Sequence, residues 1–206
     1  NFHGALLADQ KRHPIGTMDP TSSTEQLGAV GGWHERLPHF RIDQRPSAGE
    51  ELQSEYFVAR ADAVDALRAL HRVQDQFSRL LMISEIRTIA ADNLWLSTAC
   101  GQDSVAFHFT FERDWPGVRE VLPVIEAALA PFAPRPHWGK LFTMPAAEVQ
   151  SRYDRLDDFR ELVARYDPGG KFRPVHKPGQ RRKPRPALGM LQPVQPLFNR
   201  FHVHPP

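Results

Sequence analysis

Two hydrophobic periods alternate along residues 55–143 in the order strand, helix, strand, strand, helix, strand. That order predicts an α+β fold of the ferredoxin-like, split βαβ kind, an antiparallel sheet with both helices on one face. Two segments carry the prediction. Ser104 to Phe111 (SVAFHFTF) alternates strictly with period two, and Ala61 to Leu81 places Val64, Leu67, Leu70, Val73, Phe77 and Leu80 at the threes and fours of an amphipathic helix.

Residues 1–50 are rich in Gly, Pro, Ser, Thr and His and read as loops and turns, with a short strand at His39 to Asp43. Glu55 to Arg60 (EYFVAR) is the first core strand, followed by the long helix. Met82 to Ile89 (MISEIRTI) is β-branched enough for a second strand. A loop carrying Asp92, Asn93, Cys100 and Gly101 separates it from SVAFHFTF, with which it pairs antiparallel. Asp114 is suited to N-cap a second helix with Pro116 in its first turn. Its apolar stripe is Val118, Val121, Leu122, Ile125 and Leu129, and it ends near Pro131. Pro136 to Thr143 (PHWGKLFT) reads as a loop entering the last strand, and shorter helices follow at Ala146 to Tyr153 and Asp157 to Tyr166. From Pro174 the composition turns to Pro, Arg, Lys, Gln and His without any acidic residue, which predicts disorder. The expected organisation is a domain over residues 1–173 and a basic, proline-rich tail over 174–206.

With 206 residues, 41% hydrophobic and 24% charged, the chain has the composition of a globular domain rather than a disordered one. No stretch of eighteen apolar residues occurs, so no membrane span is expected, and Asp9, Lys11, Arg12, His13 and Asp19 leave no apolar centre for a secretion signal. A single cysteine, Cys100, excludes an internal disulfide framework and fits a reducing, cytoplasmic setting. The net charge of +2 is unevenly spread: residues 171–206 hold eight Lys or Arg and no acid, while residues 1–170 hold 18 basic against 24 acidic side chains. The folded part is therefore acidic, which speaks against nucleic acid as a partner. SVAFHFTF resembles the aromatic strand of an RNA-recognition motif, but the basic-glycine start of that motif is absent and Glu85 would repel phosphate.

Side chains two apart on a strand share a face, so Glu85 and Arg87 project together, as do Ala106, His108 and Thr110. Val105, Phe107, Phe109 and Phe111 suit the face under the helices, which puts His108 and Thr110 on the other. Paired strands then bring Glu85, Arg87, His108 and Thr110 into one polar cluster. Two readings are open: a solvated face with a cross-strand ion pair, or a site for a hydroxylated ligand, whose hydroxyls a carboxylate accepts from and a guanidinium donates to. His137, Trp138 and Lys140 form either an ordinary loop with a half-buried indole or an extension of that site. Cys100 has no neighbouring base in the sequence, and His202 with His204 lacks a third ligand, so no metal is expected. No glycine-rich phosphate loop, HExxH helix or nucleophile elbow occurs.

The segments GGWHERLPHFRID (Gly31 to Asp43), SAGEELQSEYFVAR (Ser47 to Arg60), SEIRTIAADNLWLS (Ser84 to Ser97), VAFHFTF (Val105 to Phe111), RPHWGKLF (Arg135 to Phe142) and YDPGGKF (Tyr166 to Phe172) resemble the C-terminal half of alditol (xylitol) oxidases. These stand with the D-arabinono-1,4-lactone and gulonolactone oxidases among flavoenzymes of the vanillyl-alcohol-oxidase type. The resemblance implies a substrate or cap domain that works with a separate N-terminal FAD domain, which is missing from this sequence. It also implies oxidation of a CH–OH group of an alditol or sugar lactone, with O2 giving hydrogen peroxide. Carried over by motif, Glu85, Arg87 and Lys140 are implied as catalytic residues and His108, Thr110 and His137 as substrate-binding ones, whereas the residues that hold FAD remain unknown. Departures accompany the match. The chain opens at Asn1 rather than Met, and after Lys171-Phe172-Arg173 the family pattern gives way to the basic tail, expected to be out-of-frame translation or, alternatively, an appendage in which QRRKPRP contacts an anionic surface. The alternative to an oxidase part is a non-catalytic ferredoxin-like binding module carrying that tail.

Overall fold

A computed structural model describes residues 4, 6–13, 19–36 and 51–171. The strand expected at His39 to Asp43 and the tail from Pro174 lie outside these residues. The chain divides into two compact units, Asn1–Glu51 and Leu52–Pro206. The described residues of the first form turns, as its composition implies. Asp19 caps a single 3-10 turn at Pro20–Ser22, accepting from Thr21 N at 2.7 Å, and the Gln26 amide bridges to the Arg12 backbone, accepting from Arg12 N at 2.9 Å and donating to Arg12 O at 2.7 Å.

The second unit holds the sheet. Its strands are β1 (Leu52–Ala59), β2 (Leu81–Ile89), β3 (Ser104–Phe111) and β4 (Arg135–Pro136), in the spatial order β2-β3-β1-β4 with every pairing antiparallel. This is the arrangement the element order predicts. The helices are α1 (Ala63–Val73), α2 (Trp115–Leu129), α3 (Ala146–Gln150) and α4 (Leu156–Tyr166). Tyr56 and Val58 of β1, Phe107, Phe109 and Phe111 of β3, and Val118, Leu122, Ile125 and Leu129 of α2 form one buried cluster. The α2 stripe is as the sequence gives it, and Asp114 caps the helix by accepting from Gly117 N at 3.1 Å. Gly117 is required there because a Cβ would stand 2.4 Å from the Asp114 carboxylate.

Two elements differ from expectation. The helix expected to run unbroken to Leu81 ends at Val73 and continues as 3-10 turns at Gln74–Gln76 and Ser78–Leu80. Its buried face is Ala66, Ala69 and Leu70, whereas Val64 and Leu67 are 59% and 45% exposed. Counted at 100° per residue, Ala66, Ala69, Leu70 and Val73 share one face and Val64 lies opposite. Small alanines let α1 approach its neighbours closely, and that advantage outweighs the larger but misplaced valine. The second difference is at β4, which pairs with β1 only through Arg135 and Pro136. Beyond it the chain makes a turn closed by Lys140 N donating to His137 O at 3.1 Å. It then returns to β1, where Leu141 N donates to Gln53 O at 2.8 Å. The last strand is thus interrupted by HWGK rather than preceded by it.

Glu126 of α2 secures the segment after this turn. Its carboxylate accepts from the Tyr56 hydroxyl at 2.8 Å, from Thr143 N at 2.6 Å and from Thr143 Oγ1 at 2.5 Å. The turn is held from the other side by Trp138, whose indole N–H donates to Leu96 O at 2.9 Å and whose ring lies 4.9 Å from that of Tyr153. Among the described residues no helix is long and apolar enough to cross a membrane.

Candidate functional site

The register places Glu55 of β1, His108 of β3 and Glu85 of β2 in one row across the sheet. In the next row Arg87 of β2 stands beside Ala106, with Phe57 beyond. Since Tyr56, Val58 and Phe107 point into the core, this row faces the other way. Arg87 and Glu55 are two strand spacings apart, about 9.6 Å, and also one row apart, about 6.6 Å along the strands, and only a long side chain crossing a short one closes that gap. Ala106, fully buried, is the short one: Arg87 Nη1 reaches over it to Glu55 Oε1 at 2.7 Å. The same Nη1 lies 2.9 Å from His108 Nδ1, and Nη2 binds Glu85 Oε2. From the HWGK turn, Lys140 Nζ donates to Glu55 Oε2 at 2.6 Å and lies 3.3 Å from His108 Nδ1.

Glu55 is therefore the hub, with one oxygen on each cation and a side chain only 5% exposed. Burial by itself would raise its carboxyl, but the hydrogen bond and charge of Lys140, joined by the charge of Arg87, hold it below the usual carboxylate range. For His108, burial and the Lys140 charge push the imidazole down to about 4 against the opposing pull of Glu55. The ring is then neutral at pH 7. With two cationic donors on Nδ1, its proton sits on Nε2, which lies 3.2 Å from Thr110 Oγ1. His108 and Thr110 are both 6% exposed, so this part of the face is not the solvated surface that strand spacing allows. Glu85 and Arg87, at 23% and 38%, form its open edge.

Five of the six residues expected at the site thus join one network. The side chain of the sixth, His137, lies outside this network, although its backbone N–H donates to Glu55 O at 2.9 Å. Its ring stacks on Phe57 with centroids 6.3 Å apart, its Nδ1 accepts from Gly139 N at 3.0 Å, and burial with the nearby Lys140 charge lowers its pKa. Glu55 is the member that sequence reasoning missed, although the apolar Tyr56 and Val58 already assign its position to the opposite face.

The donor set suits a neutral hydroxylated molecule: carboxylates and cations balance, and a guanidinium and an ammonium stand beside carboxylate acceptors. It does not suit the pyrophosphate of FAD, which calls for unobstructed helix N-termini or a cradle of backbone N–H groups. Asp65 lies in the first turn of α1, the Asp114 carboxylate occupies the N-terminus of α2, and Asp157 and Asp158 open α4.

The fold is that of an α+β domain with a charge-balanced polar cluster on the sheet face turned away from the core. A family model described as D-arabinono-1,4-lactone oxidase matches residues 49–177, and the chain belongs to that family. It is 50% identical to an alditol oxidase of a Streptomyces species over 172 residues, which is 84% of this chain and 41% of that protein. It is 32% identical over 127 residues to the L-gulono-1,4-lactone dehydrogenase of Mycobacterium tuberculosis, covering 58% of this chain and 28% of that one. A long-chain alcohol oxidase from an uncultured marine euryarchaeote is 32% identical over 114 residues, 52% of this chain and 23% of that protein. The chain spans well under half the length of each of these relatives.

Proposed function

We propose that this chain is the substrate-binding part of an FAD-dependent oxidoreductase that oxidises a CH–OH group of an alditol, with sugar lactones as the related substrate class. The overall reaction takes two hydrogens from the alcohol, leaving a carbonyl, and passes them to O2 as hydrogen peroxide. The single observation that carries this reading is the charge-balanced network of Glu55, Glu85, Arg87, Lys140 and His108 on one sheet face of a chain in this family. The flavin, when bound, would accept the hydride, and its pyrophosphate would be held by residues other than this polar cluster. What the chain supplies is orientation. Arg87 and Lys140 donate to the oxygen that reacts and Glu85 accepts from a neighbouring hydroxyl, while His108, Thr110 and His137 line the substrate's other side. A neutral His108 lets a polyol approach without adding a third positive charge. A single cysteine, Cys100, fits work in a reducing compartment, the cytoplasm.

The test uses the flavin-loaded enzyme that carries this chain. With xylitol or sorbitol, Lys140→Ala and Glu85→Gln should each lower peroxide release about a hundredfold or more while flavin content stays unchanged, as expected for groups that act on the reacting oxygen. Unchanged turnover removes the assignment, and turnover confined to L-gulono-1,4-lactone makes the lactone the substrate.

A further inference from the structure

We propose that Glu55 is the specificity-determining residue for substrate charge: seated between Lys140 and Arg87, it cancels one of their positive charges, so the site takes an uncharged polyol in preference to a sugar acid of the same carbon skeleton. This rests on the reading of the cluster as the substrate site. Both Glu55 oxygens are engaged by cations, at 2.7 and 2.6 Å, so the residue acts on a ligand through Arg87 and Lys140 rather than by contact. Glu85 is no substitute, because it is more exposed and does not sit between Arg87 and Lys140 as Glu55 does. A charge in a site as closed as Glu55's is weakly screened, and its removal is felt at full strength by whatever the two cations hold. Without it, the guanidinium and the ammonium converge on the single Nδ1 of a neutral imidazole, at 2.9 and 3.3 Å. That pairing fits a carboxylate, which takes charge-assisted hydrogen bonds from both.

Sorbitol and D-gluconate differ at one end, CH2OH against carboxylate, and isolate this charge. Their dissociation constants are measured on the 206-residue chain by calorimetry, with the Arg87 side-chain N–H followed by NMR to locate binding. The unaltered chain should bind sorbitol at least tenfold more tightly than gluconate. Glu55→Gln should move that ratio toward gluconate by tenfold or more, a change of about 1.4 kcal/mol, while Glu55→Asp, which keeps the charge, should leave the preference for sorbitol. Lys140→Met removes a cation from the same pair and should move the ratio the opposite way, which keeps the test open if Glu55→Gln does not fold. A folded Glu55→Gln chain, or a folded Lys140→Met chain, with an unchanged ratio overturns the role of Glu55 and leaves the polyol site standing. No saturable response to either molecule at Arg87, in the unaltered chain and the variants alike, overturns both.

Discussion

Glu126→Ala tests how the functional turn is fixed to the body of the protein. The carboxylate holds three donors: the hydroxyl of a fully buried Tyr56, and the amide and hydroxyl of Thr143. Removing it deprives the buried Tyr56 hydroxyl of its carboxylate acceptor, a cost of about 1–3 kcal/mol. The Thr143 groups, half-buried, recover part of their bonding from solvent and add about 1–2 kcal/mol. The total is roughly 3–4 kcal/mol, a large share of a domain's stability. Glu126→Gln keeps an acceptor oxygen in place and should cost only about 1 kcal/mol. The assay is urea unfolding followed by tryptophan fluorescence, comparing midpoints at constant slope. Combining Tyr56→Phe with Glu126→Ala removes the stranded hydroxyl, so the pair should be less destabilising than the sum of the singles by about 1–2 kcal/mol. A Glu126→Ala loss under 1 kcal/mol, or strict additivity with Tyr56→Phe, would refute the reasoning.

Three further outcomes are expected. Because His108 is held neutral in the folded protein down to about pH 4 but titrates near 6.5 when unfolded, acidification through that window favours the unfolded state. Stability should fall from pH 6.5 toward 4, and His108→Gln should flatten the profile there; below about pH 4.5 the lowered Glu55 pKa adds its own loss. Ala106→Leu should cost about 1–3 kcal/mol by overpacking and displace Arg87 from Glu55, seen as a shift of the Arg87 side-chain resonance; an unmoved resonance shows that the guanidinium takes another path. On α1, Val64→Glu should change stability by less than about 0.5 kcal/mol and Ala66→Leu should cost about 1–3 kcal/mol in thermal unfolding, with the reverse order restoring the stripe that includes Val64.

The order of elements and most of the site were legible because both rest on short-range periodicity. Strand alternation alone put His108 and Thr110 on one face and Phe107 and Phe109 on the other. The place of Glu55 beside His108 was not legible, because it depends on pairing between β1 and β3 across some fifty residues and no local spacing records such a register. The buried face of α1 was misjudged because hydrophobicity counts favour Val64 and Leu67 over Ala66 and Ala69, while close packing favours the small residues. The place of β4 was misread because PHWGKLFT reads as a loop leading into a strand, whereas the pairing precedes HWGK and the hydrogen bonds to Glu55 O and Gln53 O bracket the turn.

The central position of β1 also bears on how the protein is made. Of the four strands this one is synthesised before the others, but its hydrogen-bonding neighbours, β3 and β4, emerge from the ribosome roughly fifty and eighty residues later. The β2–β3 hairpin has only local loops to close, whereas β1 must wait with Tyr56, Phe57 and Val58 unpaired. During that interval EYFVA is a sticky edge on both sides. Glu55 flanks the apolar run and disfavours self-association of nascent chains until Lys140 arrives to neutralise it.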